Sequence, residues 1–190
     1  MAYKVLNNVS VKDVTSSDLL SLKTDLLVIV INKNTKDKVV NQLAKDVSSH
    51  LKESGSSVLV PNAKSFNAKN VLLVKGFQDS DQIHKLISMY QSIAQKGNKL
   101  KAKDISIMPG TVYPKGKCEM WLIEMVAKTI ESNVYIFSET CNKTAKKPSV
   151  KKLNILVSSL TKSDLIKAKN AAKKGYAIGE GVNSLSLIHI

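Results

Sequence analysis

The stretch Asp25-Leu26-Leu27-Val28-Ile29-Val30-Ile31 decides the fold class, because six consecutive aliphatic residues follow one acidic residue. A strand with one face in water alternates apolar and polar residues, whereas this run is apolar on both faces, as in a sheet covered on both sides. The run is also far shorter than the roughly 18 apolar residues that a membrane-spanning helix needs. It therefore predicts a buried central strand, and no membrane partner is expected.

Strand and helix patterns alternate along the rest of the chain. Further strands are predicted at Val5-Leu6 and over residues 58–60, 71–74, 105–108 and 153–157. Amphipathic helices are predicted over residues 35–51, from Ser80 to Gly97, from Lys117 through Ile130 with an extension to Phe137 left open, and from the capping pair Thr161 and Asp164 toward Val182. This alternation predicts an α/β fold, a three-layer α/β/α sandwich with a mixed, mostly parallel sheet of about six strands.

Composition places the chain among globular domains. It has 190 residues, of which 43% are hydrophobic and 23% charged, which suits one domain with a sizeable core. The first residues show no apolar stretch typical of a secretory signal, and two cysteines, Cys118 and Cys141, suit a reducing compartment better than a disulfide framework. We therefore expect a cytoplasmic protein.

The charge is strongly basic, with 29 basic and 15 acidic residues, a net charge of +14, and no arginine. Lysine attracts phosphates as a point charge but lacks the planar fork of arginine, so weak, non-specific binding to DNA is compatible with the sequence and base-specific recognition is not expected. A genome rich in A and T would produce the same lysine excess without functional selection.

Much of the excess charge lies between Lys143 and Lys174, where Asp164 is the single acidic residue. Nine lysines in this segment are candidate contacts for nucleic acid or another anion: Lys143, Lys146, Lys147, Lys151, Lys152, Lys167, Lys169, Lys173 and Lys174. The alternative is a solvated loop and helix face without a partner.

Patterns typical of catalysis are missing. The segment from Gly110 to Cys118 has five residues between its glycines and no Ser or Thr after its lysine, so a strand-to-helix turn is a better interpretation than a phosphate-binding loop. The three histidines, His50, His84 and His189, show no metal-ligand spacing. We therefore assign no catalytic residue, metal ligand or cofactor to this chain and expect it to be inactive alone.

Three segments resemble the N-terminal domain of the cytosolic leucine aminopeptidase family, bacterial type. They are residues 55–76, residues 135–157 and, most specifically, Ala171-Ala172-Lys173-Lys174-Gly175-Tyr176-Ala177-Ile178-Gly179-Glu180-Gly181-Val182-Asn183. The resemblance implies a macro-domain-like fold over residues 1–160 and the start of an interdomain helix over residues 161–183. It further implies a role in positioning a catalytic domain with two divalent metals, manganese or zinc, in a homohexamer, and for some bacterial members DNA binding.

The last residues depart from the family pattern. Leu185-Ser186-Leu187-Ile188-His189-Ile190 matches the translation of a common sequencing-library adapter, so residues 184–190 are expected to be a non-native tail on a chain truncated before the catalytic domain. A genuine short strand is the alternative.

The expected function is that of a non-catalytic domain of a leucyl aminopeptidase, which removes N-terminal residues from peptides. A basic nucleic-acid-binding accessory domain, or a macro-like module for a nucleotide or ADP-ribose, remains the alternative.

Overall fold

The computed structural model describes residues 6–32, 40, 51, 53–77, 83–110, 113–135, 148–158 and 160–188. The elements in chain order are β1 (Asn8–Asp13), α1 (Ser16–Ser21), β2 (Leu26–Ile31), β3 (Ser57–Pro61), β4 (Asn70–Lys75), α2 (Ile83–Lys99), β5 (Asp104–Met108), α3 (Glu119–Val134), β6 (Lys152–Val157) and α4 (Lys162–Ile188).

The six strands form one sheet in the order β1-β6-β5-β2-β4-β3. All neighbouring pairs are parallel except β3 and β4, which are antiparallel. The apolar strand β2 lies between β5 and β4, and its residues 26–29 are fully buried. The predicted mixed, mostly parallel sheet of about six strands is confirmed.

Helices cover both faces of the sheet. Leu26, Val28 and Val30 of β2 pack into a core with α2, α3 and α4. Leu27 and Ile29, which point to the opposite face, pack into a second core with α1 and Val40. This is the predicted three-layer sandwich, and it explains why β2 lacks alternation, since both of its faces are dry.

Helix α4 packs closely against α3. A Cβ atom on Gly175 would lie 2.1 Å from the carbonyl oxygen of Glu124, and one on Gly179 would lie 2.8 Å from the Cβ of Glu131. Glycine at both positions therefore lets the two helices approach. With about 1.5 Å of rise per residue, the 27 residues of α4 span about 40 Å, twice the length of a six-residue strand, so α4 extends beyond the sheet.

The first strand differs from its predicted position. Leu6 is buried but lies outside any strand, and β1 begins at Asn8. In β1, Val9 and Val11 face the core and alternate with polar residues, because this edge strand is only partly covered. Helix α1 was not predicted from the sequence, although Thr15 and Asp18 form a capping box at its start.

Two helix ends also differ from the predictions. Helix α3 ends at Val134, because Tyr135 is extended, so the extension to Phe137 is wrong. Helix α4 continues past Val182 to Ile188. The predicted helix over residues 35–51 lies outside the described residues apart from Val40 and Leu51, and so does the predicted N-terminal residue Ser80 of α2.

Candidate functional site

The structure places the described candidate lysines on two separate surfaces. Lys167, Lys169, Lys173 and Lys174 lie on α4, which packs on one face of the sheet. Lys152 begins β6 and, by strand alternation, points to the same face as Leu156, which belongs to the opposite core. Lys151 immediately precedes this strand. The remaining candidates, Lys143, Lys146 and Lys147, lie outside the described residues.

Ion pairs neutralise part of the charge on α4. The Lys167 ammonium lies 3.0 Å from the Asp164 carboxylate, and the Lys174 ammonium lies 3.1 Å from that of Glu124. Five lysines against one acidic residue nevertheless lie between residues 162 and 174. This half of the helix therefore presents a positive surface to solvent.

A different feature lies at the carboxyl edge of the three central strands. Asn32 follows β2, Gly76 follows β4, and Gly110 lies just after β5. A Cβ atom on Gly76 would lie 1.8 Å from Asn32 Oδ1, and one on Gly110 would lie 2.4 Å from Asn32 Nδ2. The Asn32 side chain therefore lies between two backbone segments that only glycine allows to come this close.

In open α/β sheets, the strand order indicates which edge binds ligands. The chain leaves β2 for β3 and β4 on one side and later returns to β5 and β6 on the other side. Ligands of open α/β sheets bind beyond the carboxyl ends of strands at such a reversal of strand order. The carboxyl edge around Asn32 is therefore the candidate small-molecule site of the fold.

Tyr90 of α2 contributes a buried hydroxyl near this edge. The side chain is fully buried, and its hydroxyl lies beside the backbone of Gly110 without a hydrogen bond of ordinary geometry to any residue that the structure describes. Burial raises the pKa of Tyr90 well above its usual range, so the group stays a neutral donor at physiological pH. Burying a donor without an acceptor lowers the stability of a fold by about 1–3 kcal/mol. Such a donor is therefore unusual in a packed core.

At the amino edge of the same strands, Asp25 forms an ion pair and accepts hydrogen bonds. Its carboxylate lies 2.6 Å from the Lys69 ammonium and accepts the backbone N–H of Lys103 at 2.8 Å. The Lys69 hydrogen bond holds the pKa of Asp25 below its usual range. Asp104 accepts the hydroxyl of Thr24, so hydrogen bonds and an ion pair tie the loops at this edge together.

A polar cluster joins α3, α4 and the segment before β1. Glu131 is fully buried in α3 and accepts the backbone N–H of Leu6 at 3.3 Å. The Tyr176 hydroxyl lies 3.0 Å from both the Leu6 carbonyl oxygen and Glu180 Oε1, and the Asn183 amide donates to the Glu131 carbonyl oxygen at 3.3 Å. Burial and then the Glu180 carboxylate raise the pKa of Tyr176. These bonds hold α4 in one position against the body.

No group of three or more His, Cys, Asp or Glu side chains that could hold a metal occurs within the described ranges. Residues 113–118 lead from β5 into α3 through a turn at Lys115 and Gly116, while residues 111–112 are not described. Among the helices in the described part of the chain, none is long and apolar enough to cross a membrane.

Sequence reasoning missed Asn32, Tyr90 and Glu131. Asn32 is a polar residue directly after an apolar strand, which is the one local signal for a position at a carboxyl edge. Tyr90 and Glu131 lie within helices and show no local sign of their surroundings. The residues beside them, Gly110 and Leu6, are distant in sequence.

Comparisons with known proteins identify the fold and no family. No family model matches the sequence, and no curated protein matches it. A tomato leucine aminopeptidase mutant matches 90% of this chain with a TM-score of 0.59 and 18% identity, and the chain spans 36% of that protein. A Trypanosoma brucei macrodomain solved with ADP-ribose matches 92% of the chain with a TM-score of 0.55 and 14% identity, and the chain covers 71% of that protein. The macro domain of GDAP2 matches 86% of the chain with a TM-score of 0.54 and 14% identity, and the chain covers 87% of that domain.

These likenesses confirm the macro-domain-like fold predicted from the sequence. The aminopeptidase and the macrodomains resemble the chain to a similar degree. The chain spans only about a third of the aminopeptidase.

Proposed function

We propose that this chain is the non-catalytic N-terminal domain of a longer, metal-dependent leucyl aminopeptidase. The observation that carries the proposal is that 90% of the chain matches a leucine aminopeptidase of which it spans only 36%. Residues 1–160 would form the domain, and residues 161–183 would begin the helix that leads to a catalytic domain. The role is to position that domain within a cytoplasmic homohexamer.

The proposal divides the work between this chain and a catalytic domain that follows it. Two divalent metals, manganese or zinc, would bind in the catalytic domain and activate water for attack on the peptide bond. This chain would supply the position of that domain. The hydrogen bonds of Tyr176 and Asn183 keep α4 fixed, and a fixed helix can orient whatever follows it.

The direct test is to resequence the native locus. We expect the reading frame to continue past Asn183 into a segment with metal-binding Asp, Glu and Lys residues, replacing residues 184–190. A native stop codon after Ile190 would contradict the proposal. Independently, the purified 190-residue chain should not hydrolyse leucine p-nitroanilide with manganese or zinc, and metal-dependent turnover would also contradict it.

A specific observation favours a second candidate, a nucleotide-binding or ADP-ribose-binding module. The close backbone approach at Gly76 and Gly110, with the buried Tyr90 hydroxyl beside it, resembles what a phosphate-binding edge requires. The Trypanosoma brucei macrodomain was solved in complexes with ADP and ADP-ribose. Here the occupied edge would lie around Asn32.

Calorimetry with ADP-ribose tests this second candidate. Saturable heat at micromolar ligand is expected, together with its loss in Gly76→Val, which would push a side chain into Asn32. Gly181→Ala is the matched control, because a Cβ there meets nothing within 4 Å. No heat at millimolar ligand for the wild-type chain would rule the candidate out.

DNA is a proposed partner through one of the two lysine surfaces. Because Lys152 and α4 lie on opposite faces of the sheet, a single duplex contacting this domain reaches one set only. Each lost phosphate contact should reduce the slope of log affinity against log salt by about 0.9. We expect Lys167, Lys169 and Lys173 changed together to Gln to lower the slope, and Lys152 changed to Gln to leave it unchanged. Equal effects, or none, would contradict a DNA surface on α4.

A further inference from the structure

The edge strand β3 has one hydrogen-bonding side that no described residue occupies. It lies last in the strand order, and its antiparallel neighbour β4 occupies the other side. The Ser56 carbonyl oxygen accepts a backbone hydrogen bond from β4 at 2.9 Å, and the Asn62 N–H donates to the residue just before β4 at 2.9 Å. Because backbone groups alternate between the two sides of a strand, residues 57, 59 and 61 direct theirs away from β4. We call Ser57, Leu59 and Pro61 the open edge.

The open edge offers hydrogen-bonding groups to an added strand. Ser57 and Leu59 each present an N–H and a C=O, whereas Pro61 has no N–H and presents a C=O alone. No residue of β3 is charged, and Leu59 is 39% exposed. The opposite edge strand, β1, carries Lys12 and Asp13, and such charges protect an edge from pairing with another chain. Apart from Pro61 at its end, β3 lacks this protection.

A lysine of α2 lies beside the start of the open edge. Both valines of β3 pack against the core that contains α1, so Ser57 and Leu59 point to the face where α2 lies. There the Lys96 ammonium donates to the Ser57 hydroxyl. Lys96 is half-buried, and no carboxylate in the described part of the chain lies within ion-pair distance of it. Burial and then Lys99 lower the pKa of Lys96, so an added carboxylate would stabilise its charged form.

We propose that the open edge binds an extended segment of an acidic protein partner, which pairs antiparallel with β3 as an added strand. Directly opposite residues of an antiparallel pair share a face and lie about 4.5–5.5 Å apart. A Glu side chain opposite Ser57 would therefore reach Lys96, and an apolar side chain opposite Leu59 would cover it. Because the added strand runs antiparallel, its apolar residue comes two positions before its Glu. Backbone pairing gives the affinity, and these two side chains give the specificity.

A second copy of β3 is a poorer occupant than such a segment. In an antiparallel pair of two open edges centred on Leu59, Pro61 of one copy faces Ser57 of the other and offers it no N–H. The pair also brings no carboxylate to Lys96. The net charge of +14 on each copy opposes self-association and attracts an acidic partner.

The experiment measures the binding of a labelled peptide to the 190-residue chain by fluorescence anisotropy. The probe has the sequence Thr-Val-Thr-Val-Thr-Glu-Thr, with fluorescein at its N-terminus and an amidated C-terminus. We expect saturable binding with a dissociation constant below about 1 mM. Gln in place of Glu in the peptide, or Lys96→Gln in the protein, should weaken binding about 10-fold, because each change removes the charged pair.

Lys99→Gln is the matched control for charge, because Lys99 is exposed and lies one turn further along the same helix. It should change the affinity less than about 2-fold. In the Lys96→Gln protein, the Glu and Gln peptides should bind equally, since their difference depends on Lys96. Equal losses in Lys96→Gln and Lys99→Gln would show general attraction to a basic protein and would overturn the proposal.

Hydrogen exchange locates the bound peptide. The Ser57 and Leu59 amides should exchange at least about 5-fold more slowly with peptide, whereas those of Val58 and Val60, which face β4, should change little. A peptide N-methylated at the valine opposite Leu59 should not bind, and this control leaves the protein unaltered.

The other outcomes are equally distinct. No saturable binding, binding that survives N-methylation, or equal protection of neighbouring amides in β3 would overturn the proposal. Sedimentation of the free chain as a dimer, with the Ser57 and Leu59 amides already protected, would overturn it in favour of a second copy. The site lies within this domain, so a native stop codon after Ile190 would overturn the proposed function and leave the peptide site standing.

Discussion

The two halves of α4 differ on the side that faces the core and on the side that faces solvent. Toward the core, the first half buries Ala168 and Ala172, whereas the second half brings Gly175 against the backbone of α3. Toward solvent, the first half carries lysines and the second half exposes the apolar side chains Ile178 and Val182. The comparison shows that one continuous helix can carry charged residues along one half and apolar residues along the other.

The largest expected effect tests the close packing of the second half. Gly175→Ala should lower the free energy of unfolding by about 3 kcal/mol, because the new Cβ would meet a backbone carbonyl at 2.1 Å that cannot move aside easily. Gly181→Ala, on the open side, should raise it by about 0.5–1 kcal/mol through helix propensity. Urea unfolding measures both. Equal effects at the two positions would show that α4 is not held tightly against α3.

An intermediate effect is expected at Tyr176, which links the second half of α4 to Leu6. Tyr176→Phe should lower the free energy of unfolding by about 1–3 kcal/mol, because the single hydroxyl proton that the Leu6 carbonyl and Glu180 share is lost in a partly buried place. Tyr113→Phe is the control, since Tyr113 is exposed. Chemical denaturation of both variants checks this, and a neutral Tyr176→Phe would mean that the hydroxyl does not hold the helix.

The smallest expected effect concerns the exposed start of the first half. The Thr161 hydroxyl donates to Asp164 at 2.7 Å, and this bond, with Lys167, holds the pKa of Asp164 below its usual range. A lowered pKa adds stability that is present above about pH 4, the usual Asp value, and is lost as the pH falls through the folded value. Asp164→Asn should therefore flatten the acid limb of the stability profile slightly. Asp13→Asn serves as the control, and identical profiles for Asp164→Asn and the wild type would contradict the role of this cap.

Part of the fold was predictable because its signals are local. The run Leu26–Ile31 is apolar on both faces, and the structure buries it at the centre of the sheet. Thr161 and Asp164 predicted the start of α4, and the bond between them is present. The first strand was misplaced because Leu6 is apolar and buried but lies before β1, which begins at Asn8.

The candidate site was not predictable in the same way. Asn32, Gly76 and Gly110 come from three strands and show no shared motif. They meet because β4 and β5 flank β2, and strand neighbours depend on how distant segments pack. The predicted lysine segment shows the converse, since residues close in sequence, Lys152 and those of α4, end on opposite faces of the sheet.

The sequence alone determined the α/β class, most strands and helices, the net charge and the concentration of lysines. These features follow from periodicity and composition, which can be read from short stretches. The tertiary structure alone decided that Asn32 lies between two glycines at the carboxyl edge, that a tyrosine hydroxyl is buried beside it, and that α4 exposes Ile178 and Val182 beyond its lysines. The physical reason is that the burial of a side chain depends on which distant elements pack against it. The periodicity of a short stretch does not identify those elements.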